Sequence, residues 1–204
     1  LLDASTLGKI DIQGPDAAEF LNRIYTNGWL KLGIGKCRYG LMLKDDGMVM
    51  DDGVTTRLGE NHFHMTTTTG GAAGVLDWLE EWQQTEWPDL KVYLTSVTEE
   101  WSVATLSGPN ASKIIKAAGI DISLDPADFP FMSMQDAHIA GLPVRIFRIS
   151  FTGELSFEIN IRARHGLALW QLLMNAGRDH GITPYGTEAM HVPVSYTHLT
   201  LPTI

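Results

Sequence analysis

One local device occurs twice in this chain and constrains the fold more than any other feature. Lys9-Ile10-Asp11-Ile12-Gln13 alternates apolar and polar residues, as a half-buried strand does, and Gly14-Pro15-Asp16 breaks the alternation. Pro15 suits the first helical position. Phe20, Leu21, Ile24 and Tyr25 then recur at helical spacing, predicting an amphipathic helix of roughly ten residues. The device returns at Val103-Ala104-Thr105-Leu106, a strand, followed by Gly108-Pro109-Asn110-Ala111 and a helix with Ile114, Ile115 and Ala118 on one face. Two strand–Gly-Pro–helix units predict a pseudo-repeated core.

The segments between them are rich in strands. Tyr39–Leu43 and Met48–Met50 read as a hairpin across Lys44-Asp45-Asp46-Gly47, and Thr55–Leu58 with His62–Thr67 as a second across Gly59-Glu60-Asn61. Gly70–Trp82 reads as a helix with Val75, Leu76, Trp78, Leu79 and Trp82 inward, and Val92–Val97 as a strand. Val144–Ser150 and Ser156–Ile161 predict two further strands, and Gly166–Ala176 a helix. Mixed strands and helices without a linker place the chain in the α+β class, with antiparallel sheets.

Composition closes off several functions. With 15 basic against 24 acidic residues the net charge is −9, which argues against bulk nucleic-acid binding. One cysteine, Cys37, excludes a disulfide framework and a four-cysteine zinc ribbon, and it suits a reducing, cytoplasmic setting. Cys37 itself reads as a small core residue. No apolar run approaches the ~20 residues of a membrane span, and the start Leu1-Leu2-Asp3 carries no leader, so the chain is expected to be a fragment. There is no G-x-G-x-x-G, no Gly-Lys-Ser and no G-x-S-x-G. His62 and His64 share a strand face without an obvious third ligand, so no metal is expected.

Two places carry chemistry. Asp51 and Asp52 follow an apolar strand, and because strand neighbours point to opposite faces only one of them can face a given pocket. A carboxylate pushed toward an apolar interior can act as acid, base or cation stabiliser; the alternative is a solvated turn. Glu158 lies between Phe157 and Ile159 inside a strand, where a carboxylate needs a partner. Arg145 or Arg148 could supply it, and so could a heterocycle with a guanidine-like edge such as a pterin. Glu154, in the Phe151-Thr152-Gly153-Glu154 turn, is expected to be exposed. Tyr39 could stack on a flat ligand or belong to the core. The Met65-Thr-Thr-Thr-Thr-Gly-Gly71 segment could offer free N–H groups to an anion.

Several longer strings carry a family resemblance. Asp3-Ala-Ser-Thr-Leu-Gly-Lys-Ile-Asp-Ile-Gln-Gly-Pro-Asp-Ala17, Arg38-Tyr39 with Asp51-Asp52, and Ser150-Phe-Thr-Gly-Glu-Leu-Ser-Phe-Glu-Ile159 resemble the folate-binding domain of the glycine cleavage T protein (aminomethyltransferase) family. Arg38-Tyr-Gly-Leu-Met-Leu-Lys44, Met65–Gly71 and Gly181-Ile-Thr-Pro-Tyr-Gly-Thr-Glu-Ala-Met-His-Val192 resemble the sarcosine oxidase alpha-subunit branch of that family. The resemblance spans residues 1–192 and implies a tetrahydrofolate module. It implies that Asp52 faces the reactive N5–N10 region, that Glu158 grips the pterin edge, and that Tyr39, Phe151 and Asp51 belong to the folate pocket. It implies capture of an oxidised methyl group from sarcosine as 5,10-methylenetetrahydrofolate. FAD, FMN and NAD would sit only in a missing part or in the other subunits of a hetero-oligomer. A T-protein-type aminomethyltransferase and a non-catalytic folate-binding factor for assembly or RNA modification are the alternatives. The family's C-terminal β domain is expected to be missing, 193–204 reads as a non-native tail, and Met190 stands where many T proteins have an arginine.

Overall fold

The computed structural model describes residues 1–186 and 189; Met190 and the 193–204 tail lie outside them. The described elements run in the order β1 (Leu2–Asp3), β2 (Gly8–Gln13), α1 (Ala17–Ile24), β3 (Cys37–Leu43), β4 (Val49–Gly59), β5 (His62–Thr67), α2 (Ala72–Thr85) and β6 (Tyr93–Ser96). They continue with β7 (Trp101–Ser107), α3 (Ala111–Ala117), β8 (Ser133–Ile139), β9 (Leu142–Arg148), β10 (Ser156–Arg162) and α4 (Gly166–Ala176). The described chain forms two compact units, one of Thr6–Glu100 with Met132–Met134, the other of Leu1–Ser5, Trp101–Phe131 and the described residues from Gln135 on.

Each unit is built on a five-stranded sheet, ordered β3-β4-β5-β2-β6 in the first and β1-β7-β10-β9-β8 in the second. The two orders follow one plan. A three-strand meander is followed by the strand of the Gly-Pro device (β2 or β7) and then by a short edge strand. Only the source of that edge differs: β6 follows α2, whereas β1 comes from the start of the chain. The expected repeat is therefore present in topology as well as in sequence. Gly14 and Gly108 both adopt positive φ, 131° and 121°, a region that suits a residue without Cβ. The helices start alike, Ala17 N–H reaching the Gly14 carbonyl at 3.1 Å and Ala111 N–H the Gly108 carbonyl at 3.0 Å. Pro15 is not the first helical residue as expected; it lies in the turn ahead of Asp16, which occupies the N-cap.

In the first unit Ile10, Ile12, Phe63 and Met65 of the sheet pack with Phe20 and Leu21 of α1 and Val75 and Leu79 of α2. In the second, Leu106, Ile146, Phe157, Ile159 and Ile161 pack with Ile114 and Ile115 of α3 and Leu169 and Leu173 of α4. Fully burying a side chain of this kind contributes about 1.5–3 kcal/mol, so both helix-bearing faces are apolar by necessity.

Two expectations are corrected. The separate strands Met48–Met50 and Thr55–Leu58 are one continuous strand, β4, so Asp51, Asp52 and Gly53 lie mid-strand rather than in a turn. A β-carbon on Gly53 would come within 1.9 Å of the Thr66 carbonyl oxygen, so here glycine marks a close backbone approach. Strand β8 was not expected. It joins β9 through Ala140-Gly141, both at positive φ (49° and 81°), the conformation of a two-residue type I′ turn.

Candidate functional site

In the first unit, the alternation along β4 separates the two aspartates. Asp51 stands opposite Met42, and its carboxylate turns to the loop that opens α2. It is 4% exposed and accepts the backbone N–H of Thr68 at 3.3 Å and that of Asp52 at 2.9 Å. Gly71 leaves room for this carboxylate, since a β-carbon there would lie 2.4 Å from Asp51 Oδ2. The Thr68–Gly71 segment therefore binds a carboxylate, as a helix start can, and the carboxylate is the chain's own.

Asp52 stands opposite Leu41, on the other face. Its Oδ2 accepts the hydroxyl of Tyr39 at 2.5 Å, a short charge-assisted bond. Tyr39 is 46% exposed, so its ring is not a core residue. The Tyr39 carbonyl accepts Asn27 Nδ2 at 2.7 Å, which ties the site strand to the segment after α1. Tyr25, on the helix-bearing side, donates to or accepts from Thr55 Oγ1 at 3.0 Å. Burial drives its phenol well above the usual tyrosine range.

A second polar group on this sheet joins β2 and β5. Asp11 receives His64 Nδ1 at 2.7 Å on one oxygen and His62 Nε2 at 3.0 Å on the other. Burial pushes the Asp11 carboxyl up, but the hydrogen bonds and charges of His64 and His62 outweigh it and hold the pKa below the ordinary value. Among the described residues no His/Cys/Asp/Glu group is arranged to hold a metal. Cys37 is buried and accepts the Thr56 hydroxyl at 3.1 Å.

In the second unit, Glu158 is half-buried in mid-strand, opposite Thr105 of β7 and Phe147 of β9. Phe157, Ile159 and Ile161 point into the core, so Ser156, Glu158, Asn160 and Arg162 share the opposite face. Nearby, Arg145 Nε pairs with Asp136 at 3.3 Å and Arg148 donates to the Phe129 carbonyl at 2.7 Å. Phe151 is 37% exposed in the loop before β10, and Glu154 is exposed as expected. Ser150 Oγ and Thr152 Oγ1 in that loop are buried without a hydrogen-bond partner. Asn160 is 2% exposed, and its Oδ1 is likewise buried without a partner.

Asn160, Asn27 and the Asp11 carboxylate between two histidines were missed in the sequence. For Asn160 a signal existed, because it repeats the parity of Glu158 along an otherwise apolar strand.

The comparisons agree with this architecture. Residues 1–193 match the model of the GCVT N-terminal domain. The chain belongs to that family. It is 58% identical over 195 residues to the sarcosine oxidase alpha subunit of Corynebacterium sp. strain P-1, covering 94% of this chain and 20% of that protein. It is 48% identical to the alpha subunit of Rhizobium meliloti, over 94% of this chain and 20% of the relative. With the aminomethyltransferase of Symbiobacterium thermophilum the identity is 30%, covering 93% of this chain and 50% of that enzyme. The chain thus spans a fifth of the length of the alpha subunits it matches. Among solved structures, the glycine cleavage system aminomethyltransferase T of Bartonella henselae superposes with a TM-score of 0.82 at 26% identity, covering 98% of this chain and 51% of that one. The heterotetrameric sarcosine oxidase of Corynebacterium sp. U-96 shares the fold, with a TM-score of 0.67 at 18% identity over 89% of this chain and 84% of that one. No described helix is long and apolar enough to cross a membrane.

Proposed function

We propose that this chain is the tetrahydrofolate-binding, one-carbon-transfer module of a sarcosine oxidase alpha subunit, producing 5,10-methylenetetrahydrofolate. The observation that carries this reading is the 58% identity to such a subunit over 195 residues.

The polar residues suit the ligand. Tetrahydrofolate supplies two nucleophilic nitrogens, N5 and N10, which come to share the carbon of formaldehyde while its oxygen leaves as water. Asp52 accepts the proton lost from nitrogen and stabilises positive charge that develops there. The Tyr39 hydroxyl fixes the orientation of that carboxylate. Glu158 takes the two parallel N–H groups of the pyrimidine edge, and Phe151 lies against the ring system. Asp51 contributes indirectly, by holding Thr68 and the start of α2. Keeping folate and the one-carbon unit together contributes a large part of the acceleration. Sarcosine oxidation, with its FAD, FMN and NAD, belongs to other parts of the full-length protein or to partner subunits of a cytoplasmic hetero-oligomer. A second reading, an aminomethyltransferase of the glycine cleavage type, draws on the superposition with the Bartonella henselae enzyme.

The test is a tetrahydrofolate titration of the full-length protein followed by Trp fluorescence. Saturable binding is expected, with Glu158→Gln weakening it about tenfold or more. Asp52→Asn should retain binding and slow formaldehyde capture by about 10²-fold or more. Absence of saturable binding by the folded protein overturns the reading. Glycine-dependent exchange with a lipoyl carrier, without sarcosine turnover, favours the second one.

A further inference from the structure

Strand β3 is an edge of the first sheet, and at Tyr39 that edge is closed by a side chain. Val54, opposite Tyr39 on β4, gives its backbone N–H and its carbonyl to Thr66 Oγ1, at 3.1 and 3.0 Å. Both groups of Val54 therefore face β5. The Tyr39–Val54 pair is a non-hydrogen-bonded one, which turns the Tyr39 carbonyl outward, away from β4. Leu41 repeats the parity, and its outward carbonyl accepts the Thr26 N–H at 3.1 Å. At Tyr39 the donor is Asn27 Nδ2, at 2.7 Å. A carbonyl only accepts, so this bond fixes which end of the amide faces Tyr39. The other end, Asn27 Oδ1, is buried without a partner, a cost the segment carries to keep its donor in place.

Between these two carbonyls, Gly40 lies against the rings of Tyr25 and Trp29, where a β-carbon would come within 2.5 Å of Tyr25 Cδ1 and 3.0 Å of Trp29 Cζ2. The segment after α1 thus holds β3 at three successive residues, 39, 40 and 41. From this pinned backbone the Tyr39 side chain reaches Asp52, its hydroxyl donating to Oδ2 at 2.5 Å. Tyr39 is 46% exposed, so the direction of its ring depends on where its backbone is held. We infer that Asn27 is a positioning residue for the proposed reaction, acting through the Tyr39 backbone to hold the hydroxyl that orients Asp52. The inference rests on the proposed folate reading, in which Asp52 takes the proton from nitrogen. Without the amide donor, Tyr39 keeps its ring and its hydroxyl but loses the anchor of its outward carbonyl. Reacting groups tolerate little drift, a displacement of about 1 Å costing as much as ~10²-fold in rate. Asn27 makes its contribution without touching folate or the one-carbon unit.

The experiment is a double-mutant cycle in the full-length protein. Wild type, Asn27→Leu (similar in size, no donor), Asn27→Ala, Tyr39→Phe and the two combined variants are compared, with Leu79→Ala as a control that lowers stability away from the site. For each, the rate of formaldehyde capture at saturating tetrahydrofolate, the dissociation constant for tetrahydrofolate and the thermal midpoint are measured. Both Asn27 variants should lose about tenfold in rate, the equivalent of one hydrogen bond. Their affinity for tetrahydrofolate should stay within about twofold of wild type, and Tyr39→Phe should lose at least as much rate as they do. Adding either Asn27 change to Tyr39→Phe should alter the rate by less than about twofold, because the hydroxyl through which Asn27 acts is already gone. Leu79→Ala should melt early and keep its rate per folded molecule. The inference is overturned if both Asn27 variants capture formaldehyde as wild type does, if their losses multiply with that of Tyr39→Phe, or if affinity falls while the rate is kept. In each of those cases the folate reading stands and the role of Asn27 falls. If wild type captures no formaldehyde with tetrahydrofolate, the reading fails and takes the inference with it.

Discussion

Replacing Asp51 and Asp52 by alanine should separate stability from chemistry at adjacent positions. Asp51 is buried and accepts two backbone N–H groups, at 2.9 and 3.3 Å. Hydrogen bonds to a charged acceptor are worth about 1.5–3 kcal/mol each. The Thr68 bond is long and falls at the lower end, and the Asp52 bond is local. A total cost of about 3 kcal/mol is therefore expected for Asp51→Ala, which also leaves the Thr68 N–H without its acceptor. At about 2–4 °C per kcal/mol for a cooperative domain the size of this 204-residue chain, the melting midpoint should fall by roughly 6–12 °C. Asp52 accepts a bond from an exposed tyrosine, and a partly solvated bond of that kind is worth about 0.5–1 kcal/mol. Asp52→Ala should thus melt within about 4 °C of wild type while abolishing folate-dependent formaldehyde capture. The assay is thermal unfolding of the full-length protein followed by Trp fluorescence, with capture measured on the same samples. An Asp51→Ala protein that melts with wild type, or an Asp52→Ala protein that loses the larger share of stability, would refute the assignment of the two carboxylates to opposite faces.

Gly53→Ala should be strongly destabilising, by about 2 kcal/mol or more as overpacking does, because its β-carbon has nowhere to go beside the Thr66 carbonyl; urea unfolding checks this. Asp11, whose folded pKa is depressed, contributes stability that is present above the ordinary carboxylate range and lost as pH falls through the folded value. Asp11→Asn should therefore flatten the acid limb of the stability–pH profile below about pH 4, and an unchanged acid limb would remove Asp11 from that role. Leu79→Ala, at a fully buried position of α2, should cost about 2–5 kcal/mol with no effect on the affinity for tetrahydrofolate per folded molecule.

The parts of this fold that were legible in the sequence are those set by local chemistry. Gly14 and Gly108 announce themselves because a strand ending in Gly-Pro must turn, and both turn alike. Glu158 is conspicuous because it interrupts an apolar alternation. The hidden parts depend on pairing between distant segments. Gly53 looks like a turn residue and is a strand residue whose bareness serves Thr66. Strand β8 escaped because Ala140-Gly141 lacks the Asn-Gly or Asp-Gly signature, and because Pro143 inside β9 reads as a breaker. The partner of His62 and His64 was out of reach, since Asp11 meets them only when β2 lies beside β5.

The repeat sharpens the reading of the polar residues, because register makes the two copies comparable position by position. Asp11 on β2 and Thr105 on β7 hold the same place in the device, three residues before the turn glycine. Their cross-strand partners are His64 and Glu158. Two residues away, Lys9 and Val103 are matched by Thr66 and Asn160. In the first copy His64 Nδ1 bonds Asp11 at 2.7 Å, and Thr66 Oγ1 takes the Val54 N–H and donates to the Val54 carbonyl. In the second copy the residue at the place of Thr66 is Asn160, whose Oδ1 is buried with no partner. The unpaired amide oxygen belongs to residue 160 rather than to the repeated frame, so Asn160→Leu should raise the thermal midpoint of the ligand-free protein, and an unchanged or lower midpoint would show that the amide is not a cost to the fold.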